Sequence, residues 1–192
     1  SSAIFSLLIG RGHSARAFGK RYRAYAPYGT TVLRGYSSGI RHAGGPGDST
    51  KMEFQIAESM CDISHYLPIA QAADEAGFGV FGLGDSILYP EVAEGTYPYT
   101  ADGDRSFLEG APFLDPFQLF AAMSVVTTNI KFSFGVLKLP IRDPVLTAKQ
   151  VSSLAALSNE RVILGVGLSP WIEDFQACGQ DWKSRGKRMD EM

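Results

Sequence analysis

Hydrophobic and polar positions follow two alternating periods along the chain after residue 51. Two-residue alternation or short apolar runs predict four strands, at residues 53–57, 79–84, 130–136 and 162–166. Apolar side chains recur at helical spacing in the segments between and after these strands, which are residues 64–76, 115–125, 144–157, 173–178 and 183–192. The pattern therefore predicts four consecutive strand–helix units followed by one further helical segment.

Helix boundaries are marked by residues with known capping roles. Asp115-Pro116 and Asp143-Pro144 each place an N-cap carboxylate before a proline at the first helical position. Gly77 follows the first predicted helix and is expected to end it. These signals agree with the hydrophobic periodicity.

Strict alternation of strands and helices predicts an α/β fold with a parallel sheet. Two architectures fit this pattern, an open doubly wound sheet and part of a (β/α)8 barrel. A complete barrel takes about 250 residues, whereas about 141 are available from Met52 onward. The barrel interpretation therefore implies a barrel truncated to about its first four βα units.

Residues 1–51 differ in composition from the rest of the chain. They hold eight of the 18 basic residues and a single acidic one, Asp48, and they end in a Gly-rich stretch. We interpret this segment as a basic leader or a spurious N-terminal extension, expect it to be disordered, and assign the folded domain to residues 52–192. Both origins of the segment stay open.

The charge and cysteine content favour small-molecule chemistry in a cytoplasmic protein. Residues 52–192 contain 10 basic and 19 acidic residues, which argues against nucleic-acid binding. Cys61 and Cys178 show no metal-ligand spacing, so reduced thiols are expected. No apolar run approaches the roughly 20 residues that span a bilayer, and we expect no membrane association.

Common cofactor and metal motifs are not matched. Gly165-Val-Gly167 would need a third glycine at position 170 for a dinucleotide fingerprint, where the chain has Pro170. The sequence has no phosphate-binding P-loop, no histidine pair suited to zinc and no nucleophile elbow. No metal site is predicted.

Glycines occur at the ends of three predicted strands, in the segments Gly84-Asp85-Ser86, Phe134-Gly135-Val136-Leu137 and Gly165-Val166-Gly167-Leu168-Ser169. Glycine at these positions lets a flat ligand approach the backbone, or lets strands and helices pack closely. The pattern alone leaves both possibilities open.

The long connection of residues 87–114 is rich in aromatic residues and is either a lid or an insertion without that role.

Several segments together resemble the luciferase-like flavin-dependent oxidoreductases, especially their deazaflavin-using branch. They are Tyr97-Pro-Tyr-Thr-Ala-Asp-Gly, Leu114-Asp-Pro-Phe, Gly135-Val-Leu-Lys-Leu-Pro-Ile-Arg-Asp-Pro, Leu157-Ser-Asn-Glu-Arg-Val-Ile-Leu-Gly-Val-Gly and Arg185-Gly-Lys-Arg-Met-Asp-Glu. The resemblance covers residues 52–192 and implies the N-terminal half of a TIM-type barrel, with an isoalloxazine-type ring over the strand ends.

The resemblance also implies candidate site residues. Asp85 falls where the family delivers a polar residue to the ring or substrate, and Ser86 replaces the histidine of many relatives, so these two are the catalytic candidates. Gly135 and Val136 fall on a strand bulge where a non-proline cis peptide bond often backs the ring.

The remaining cofactor-binding candidates are Gly165, Gly167, Leu168 and Ser169, together with Asp85. Leu168 stands where some deazaflavin dehydrogenases have a proton-donating glutamate, so that specific chemistry cannot be carried over. Trp171 is a candidate stacking contact, or alternatively a packing residue.

The resemblance implies hydride transfer between coenzyme F420, a deazaflavin, and a small organic substrate. A reduced-FMN monooxygenase of the same family is the first alternative. A non-catalytic truncated fragment is the second, because barrels commonly bind phosphate with loops after their last two strands. We further expect a homodimer for the full-length protein.

Overall fold

The computed structural model describes residues 53–91 and 95–192, together with the backbone of three short strands upstream: β1 (Phe5–Leu7), β2 (Ser14–Ala17) and β3 (Lys20–Arg23). The domain contains five further strands, β4 (Gln55–Ala57), β5 (Val80–Leu83), β6 (Lys131–Phe134), β7 (Leu137–Lys138) and β8 (Val162–Gly167). The α-helices are α1 (Tyr66–Glu75), α2 (Pro116–Val126), α3 (Pro144–Leu157), α4 (Ile172–Ala177) and α5 (Arg185–Glu191). Short 3-10 helices span Ile63–His65, Ser106–Leu108 and Leu139–Ile141.

The sheet follows the order of the chain. Strands β4, β5, β6 and β8 lie side by side in that order, and every neighbouring pair is parallel. Strand β7 also pairs with the end of β8, so that β6 and β7 form one strand interrupted at Gly135 and Val136. The four predicted strand–helix units are therefore confirmed. Strand β1 pairs antiparallel with β8, and β2 pairs with β3.

The hydrophobic core lies on one face of this sheet. Phe81 and Phe132 are register partners in β5 and β6 and are fully buried. The Phe120 ring of α2 packs against the Phe132 ring, with centroids 5.2 Å apart. All three long helices contribute to this core, through Tyr66, Ala70, Ala73, Phe117, Leu119, Phe120, Met123, Val151 and Leu154.

Residues on the opposite face of the sheet are covered less. In the next row of register partners, Ala57 is exposed and Ser133 and Ile163 are half-buried, although Gly82 between them is buried. A doubly wound sheet carries helices on both faces and reverses its strand order, whereas a barrel wall carries them on one face in chain order. The structure therefore selects the barrel among the two architectures that the sequence left open.

The upstream segment is described only in part. Strands β1, β2 and β3 fall within residues 1–51, and the rest of that segment lies outside the described residues. Its interpretation as a leader or an extension stays a prediction. In the described part of the chain, no helix combines the length and the apolar character needed to cross a membrane.

Asp74 connects α1 to the segment that leads into β6. Its carboxylate accepts backbone hydrogen bonds from Thr128, Asn129 and Ile130, at 2.6, 2.9 and 2.7 Å. Burial raises the pKa of Asp74, but the three N–H donors and nearby Arg161 lower it by more, so the pKa lies below its usual value.

Replacing Asp74 by asparagine should lower the free energy of unfolding by about 1–3 kcal/mol at neutral pH, because an amide accepts these bonds more weakly. A carboxyl whose folded pKa is depressed contributes stability above its unfolded pKa of about 4, and this contribution is lost as the pH falls through the folded pKa. Urea unfolding of both proteins across this range should show the difference shrinking below about pH 4. A difference that stays constant into stronger acid would contradict the assignment.

Candidate active site

Asp85 follows β5 and forms a buried ion pair with Arg142. Both carboxylate oxygens lie 2.9 Å from Arg142 Nη2, and Oδ2 also accepts the backbone N–H of Lys138 at 2.9 Å. The side chain of Asp85 is 2% exposed and that of Arg142 is 15% exposed. Asp85 therefore joins the end of β5 to β7 and to the segment before α3.

Arg142 is itself fixed from the other side. Arg188 of α5 donates from Nη2 to the Arg142 carbonyl at 2.8 Å and from Nε to the Pro140 carbonyl at 2.7 Å. Ser86, the second catalytic candidate, follows Asp85 and is half-buried. The geometry thus gives Asp85 an evident positioning role and leaves Ser86 nearer to solvent.

The peptide bond between Gly135 and Val136 is cis, as the family resemblance predicts. The Gly135 N–H donates to the Leu83 carbonyl at 2.7 Å, which holds the interruption against β5. Gly135 is exposed, and a Cβ added there would meet only the Leu83 oxygen, at 3.8 Å. The space beside Gly135 is therefore open to a flat ligand.

Gly165 and Gly167 lie in a different environment. A Cβ on Gly165 would overlap the Phe134 carbonyl oxygen, and one on Gly167 would lie 2.7 Å from Cγ2 of Val136. The interrupted strand occupies the space that side chains at these positions would need. Close strand packing thus explains both glycines, whereas the open approach that the sequence also allowed is available at Gly135.

Leu168 and Ser169 end β8 in opposite environments. Leu168 is 38% exposed, whereas Ser169 is 1% exposed. The Ser169 hydroxyl donates to Asp174 Oδ2 and accepts the Trp171 backbone N–H at 3.1 Å. Ser169 therefore fixes the start of α4, and Leu168 presents an apolar, non-ionisable side chain at the end of the strand.

Lys138 forms a second buried ion pair close to these residues. Its Nζ lies 2.7 Å from Asp174 Oδ2, and the two side chains are 9% and 0% exposed. Nζ also lies 4.9 Å from the centroid of the Trp171 ring. The pair connects β7 to the first turn of α4.

The long loop after β5 contacts the same part of the molecule through Arg105 and Tyr97. Arg105 Cζ lies 4.7 Å from the centroid of the Trp171 ring, and Nη2 lies 3.6 Å from Glu173 Oε1. The Tyr97 ring meets the Trp171 ring edge-on, with centroids 6.1 Å apart. Burial, with a smaller contribution from Tyr99, raises the pKa of Tyr97. Trp171 is 5% exposed and packs within this cluster.

Among the charged residues of this site, only Asp85 was a sequence candidate. Lys138 could have been noticed as an isolated cation between Leu137 and Leu139, inside an apolar run. Arg105 and Asp174 gave no comparable signal, because charged residues in loops and first helical turns usually face solvent. Of the predicted residues, Asp85, Gly135, Val136, Gly165, Gly167, Leu168 and Ser169 lie at the carboxyl ends of neighbouring strands.

Comparison with known proteins gives consistent matches. The family model described as luciferase-like monooxygenase matches residues 35–192. The uncharacterized Mycobacterium tuberculosis protein Rv0940c is 52% identical over 140 residues, covering 73% of this chain and 49% of that protein. A second uncharacterized protein of that organism, Rv0953c, is 32% identical over 106 residues, covering 55% of this chain and 37% of its own. The chain thus spans about half the length of Rv0940c.

Solved structures show the same fold. Long-chain alkane monooxygenase (LadA) aligns with a TM-score of 0.58 and 19% identity, over 75% of this chain and 38% of its own. Monooxygenase RslO1 from Streptomyces bottropensis aligns with a TM-score of 0.55 and 19% identity, over 72% of this chain and 40% of its own. A third match is the oxygenating constituent of 3,6-diketocamphane monooxygenase from Pseudomonas putida, in complex with FMN. It aligns with a TM-score of 0.53 and 17% identity, over 73% of this chain and 36% of its own.

Proposed function

Because the chain belongs to the luciferase-like monooxygenase family, we propose that the whole protein transfers a hydride between coenzyme F420 and a small organic substrate. The observation that carries this proposal is the open backbone surface at Gly135, next to the cis bond to Val136. A flat ring can approach the backbone at this point, because a Cβ added at Gly135 would meet only the Leu83 oxygen, at 3.8 Å. Leu168 and Val136, two of the side chains at these strand ends, cannot ionise, which suits a reaction centred on the cofactor.

The residues present fit a ring of the isoalloxazine type. Gly135 and Val136 would contact one face of the ring, and Gly165 and Gly167 would support Val136 from behind. Leu168 would exclude water at the edge of the ring. The bound deazaflavin would supply the hydride chemistry.

The two catalytic candidates take different roles in this proposal. We assign Asp85 a positioning role, in which its hydrogen bonds to Arg142 and to the Lys138 backbone hold the interrupted strand in place. Ser86 is only half-buried, and we assign its hydroxyl to hydrogen bonding with the substrate. Substrate positioning by Ser86 would replace the contact that a histidine makes in many relatives.

A reduced-FMN monooxygenase is the second candidate function. The family description names monooxygenases, and one structural neighbour contains FMN. The same open surface at Gly135 accommodates either ring. Oxygen consumption in the presence of FMN and a flavin reductase would favour this candidate over hydride transfer.

Cofactor titration tests the proposal. The purified chain and full-length Rv0940c should each be titrated with F420 and with FMN and followed by the absorbance of the cofactor. Saturable binding of F420 in preference to FMN is the expected result. If Rv0940c binds and the chain does not, the chain is a non-catalytic fragment; if neither binds F420, the hydride-transfer proposal is wrong.

A further inference from the structure

Two acidic residues in the first turn of α4 each pair with a cation, and the two pairs differ in geometry. Asp174 Oδ2 and Lys138 Nζ are 2.7 Å apart, which is a hydrogen-bonded ion pair. Glu173 Oε1 and Arg105 Nη2 are 3.6 Å apart, which is beyond hydrogen-bond distance although the side chains are only 11% and 9% exposed. Glu173 therefore balances the charge of Arg105 but does not accept a hydrogen bond from Arg105 Nη2.

Two buried N–H donors in this cluster make no hydrogen bond among the described residues. Neither Arg105 Nη2 nor Trp171 Nε1 has a hydrogen-bond partner among the described residues. Both belong to one stacked pair, since Arg105 Cζ lies 4.7 Å from the centroid of the Trp171 ring. Buried donors without an acceptor are destabilising, so a ligand that supplies acceptor oxygens gains binding energy here.

We propose that Arg105 and Trp171 bind a carboxylate of the substrate, which takes the place of Glu173 beside the guanidinium. A planar guanidinium suits a carboxylate because it presents several donors in one plane. The surroundings favour an apolar body on the ligand, since the Tyr97 ring lies 6.1 Å from the Trp171 ring and 5.7 Å from the Phe107 ring. The ligand class is therefore an organic acid with an aromatic or aliphatic body.

The anionic group could also come from a cofactor phosphate. Barrels commonly hold phosphate with loops after their seventh and eighth strands. Arg105 and Trp171 instead follow β5 and β8, which are the second and fourth strands of the parallel sheet. We therefore assign the carboxylate to the substrate, and this assignment rests on the proposed function. The binding of a carboxylate by Arg105 and Trp171 does not depend on the proposed function.

Fluorescence of Trp171 provides a direct test. The chain has two tryptophans, so Trp182→Phe leaves Trp171 as the single reporter. This variant should be titrated with sodium benzoate, benzamide and inorganic phosphate at constant ionic strength, without cofactor. We expect saturable binding of benzoate, and binding of benzamide and phosphate that is about tenfold weaker or more. Equal binding of benzoate and benzamide would overturn the proposal, and preferential binding of phosphate would overturn the assignment to the substrate.

Substitutions of Arg105 and Glu173 in the Trp182→Phe background should change benzoate affinity in opposite directions. Arg105→Gln should weaken benzoate binding about tenfold or more, whereas Glu173→Gln should strengthen it because the competing carboxylate is removed. Arg105→Lys, which keeps the charge, should bind benzoate with intermediate affinity and serves if the glutamine variant does not fold. Arg185→Gln is the matched control. In the wild-type chain Arg185 stacks on the other tryptophan, with its Cζ 3.8 Å from the centroid of the Trp182 ring. Unchanged affinity in both Arg105 variants would overturn the proposal.

The two proposals can fail independently. The benzoate titration contains no cofactor, so a protein that binds no F420 can still show the carboxylate site. A protein that binds F420 but not benzoate would keep the hydride-transfer proposal and lose the carboxylate site.

Discussion

Replacing Asp85 by alanine is expected to lower the free energy of unfolding by about 3–5 kcal/mol. The substitution leaves the Arg142 guanidinium charged and largely buried without its carboxylate, and removing one partner of a buried pair typically costs this much. It also removes the acceptor for the Lys138 N–H. Urea unfolding followed by circular dichroism measures the change.

Two further variants separate the causes of this loss. Asp85→Asn removes the charge but keeps an acceptor for the Lys138 N–H, so its loss should be smaller than that of the alanine variant. Asp190→Ala removes an exposed carboxylate from α5 and should change stability by about 0.5 kcal/mol or less. A loss below about 1 kcal/mol for Asp85→Ala would show that the ion pair does not position the strand ends.

Replacing Gly165 by alanine should also destabilise the fold, by about 1–3 kcal/mol or more. The added methyl group would overlap the carbonyl oxygen of Phe134 in the neighbouring strand. Because the obstacle is backbone, relief requires β6 and β8 to move apart. The interrupted strand at Gly135 and Val136 would shift with them.

Gly186→Ala is the matched control for this substitution. It lies in α5, and a Cβ there would meet nothing within 4 Å. Alanine in a helix loses less backbone freedom on folding than glycine, so stability should rise by up to about 1 kcal/mol. The two glycine-to-alanine changes should therefore have opposite signs in the same unfolding experiment, and a loss equal to that of Gly165→Ala in the control would contradict the packing explanation.

The sequence predicted the strand and helix order because its apolar periods are regular and its caps are specific. Asp115 and Asp143 cap α2 and α3 through hydrogen bonds to N–H groups of the first turn, as their place before proline predicts. Helix α3, predicted at residues 144–157, was found at Pro144–Leu157. Local chemistry decides such features, so a single sequence contains the information.

Features that depend on distant partners could not be predicted in the same way. Asp85 and Arg142 are 57 positions apart, and nothing in the local sequence of either indicates a shared buried pair. Period and composition likewise do not show that β7 is separate from β6. The strand-end glycines illustrate the limit, because only the neighbours of Gly135 and Gly165 show which position is open and which is packed.

The claim that the open surface at Gly135 holds the cofactor ring is tested most directly by titrating F420 into the wild-type chain and its Gly135→Val variant. The valine side chain would fill the space beside the ring while meeting only one protein atom near its Cβ. F420 affinity is expected to fall about tenfold or more, while the urea unfolding midpoint stays within error of the wild-type value. Equal F420 affinities for the wild-type chain and the variant would contradict the claim.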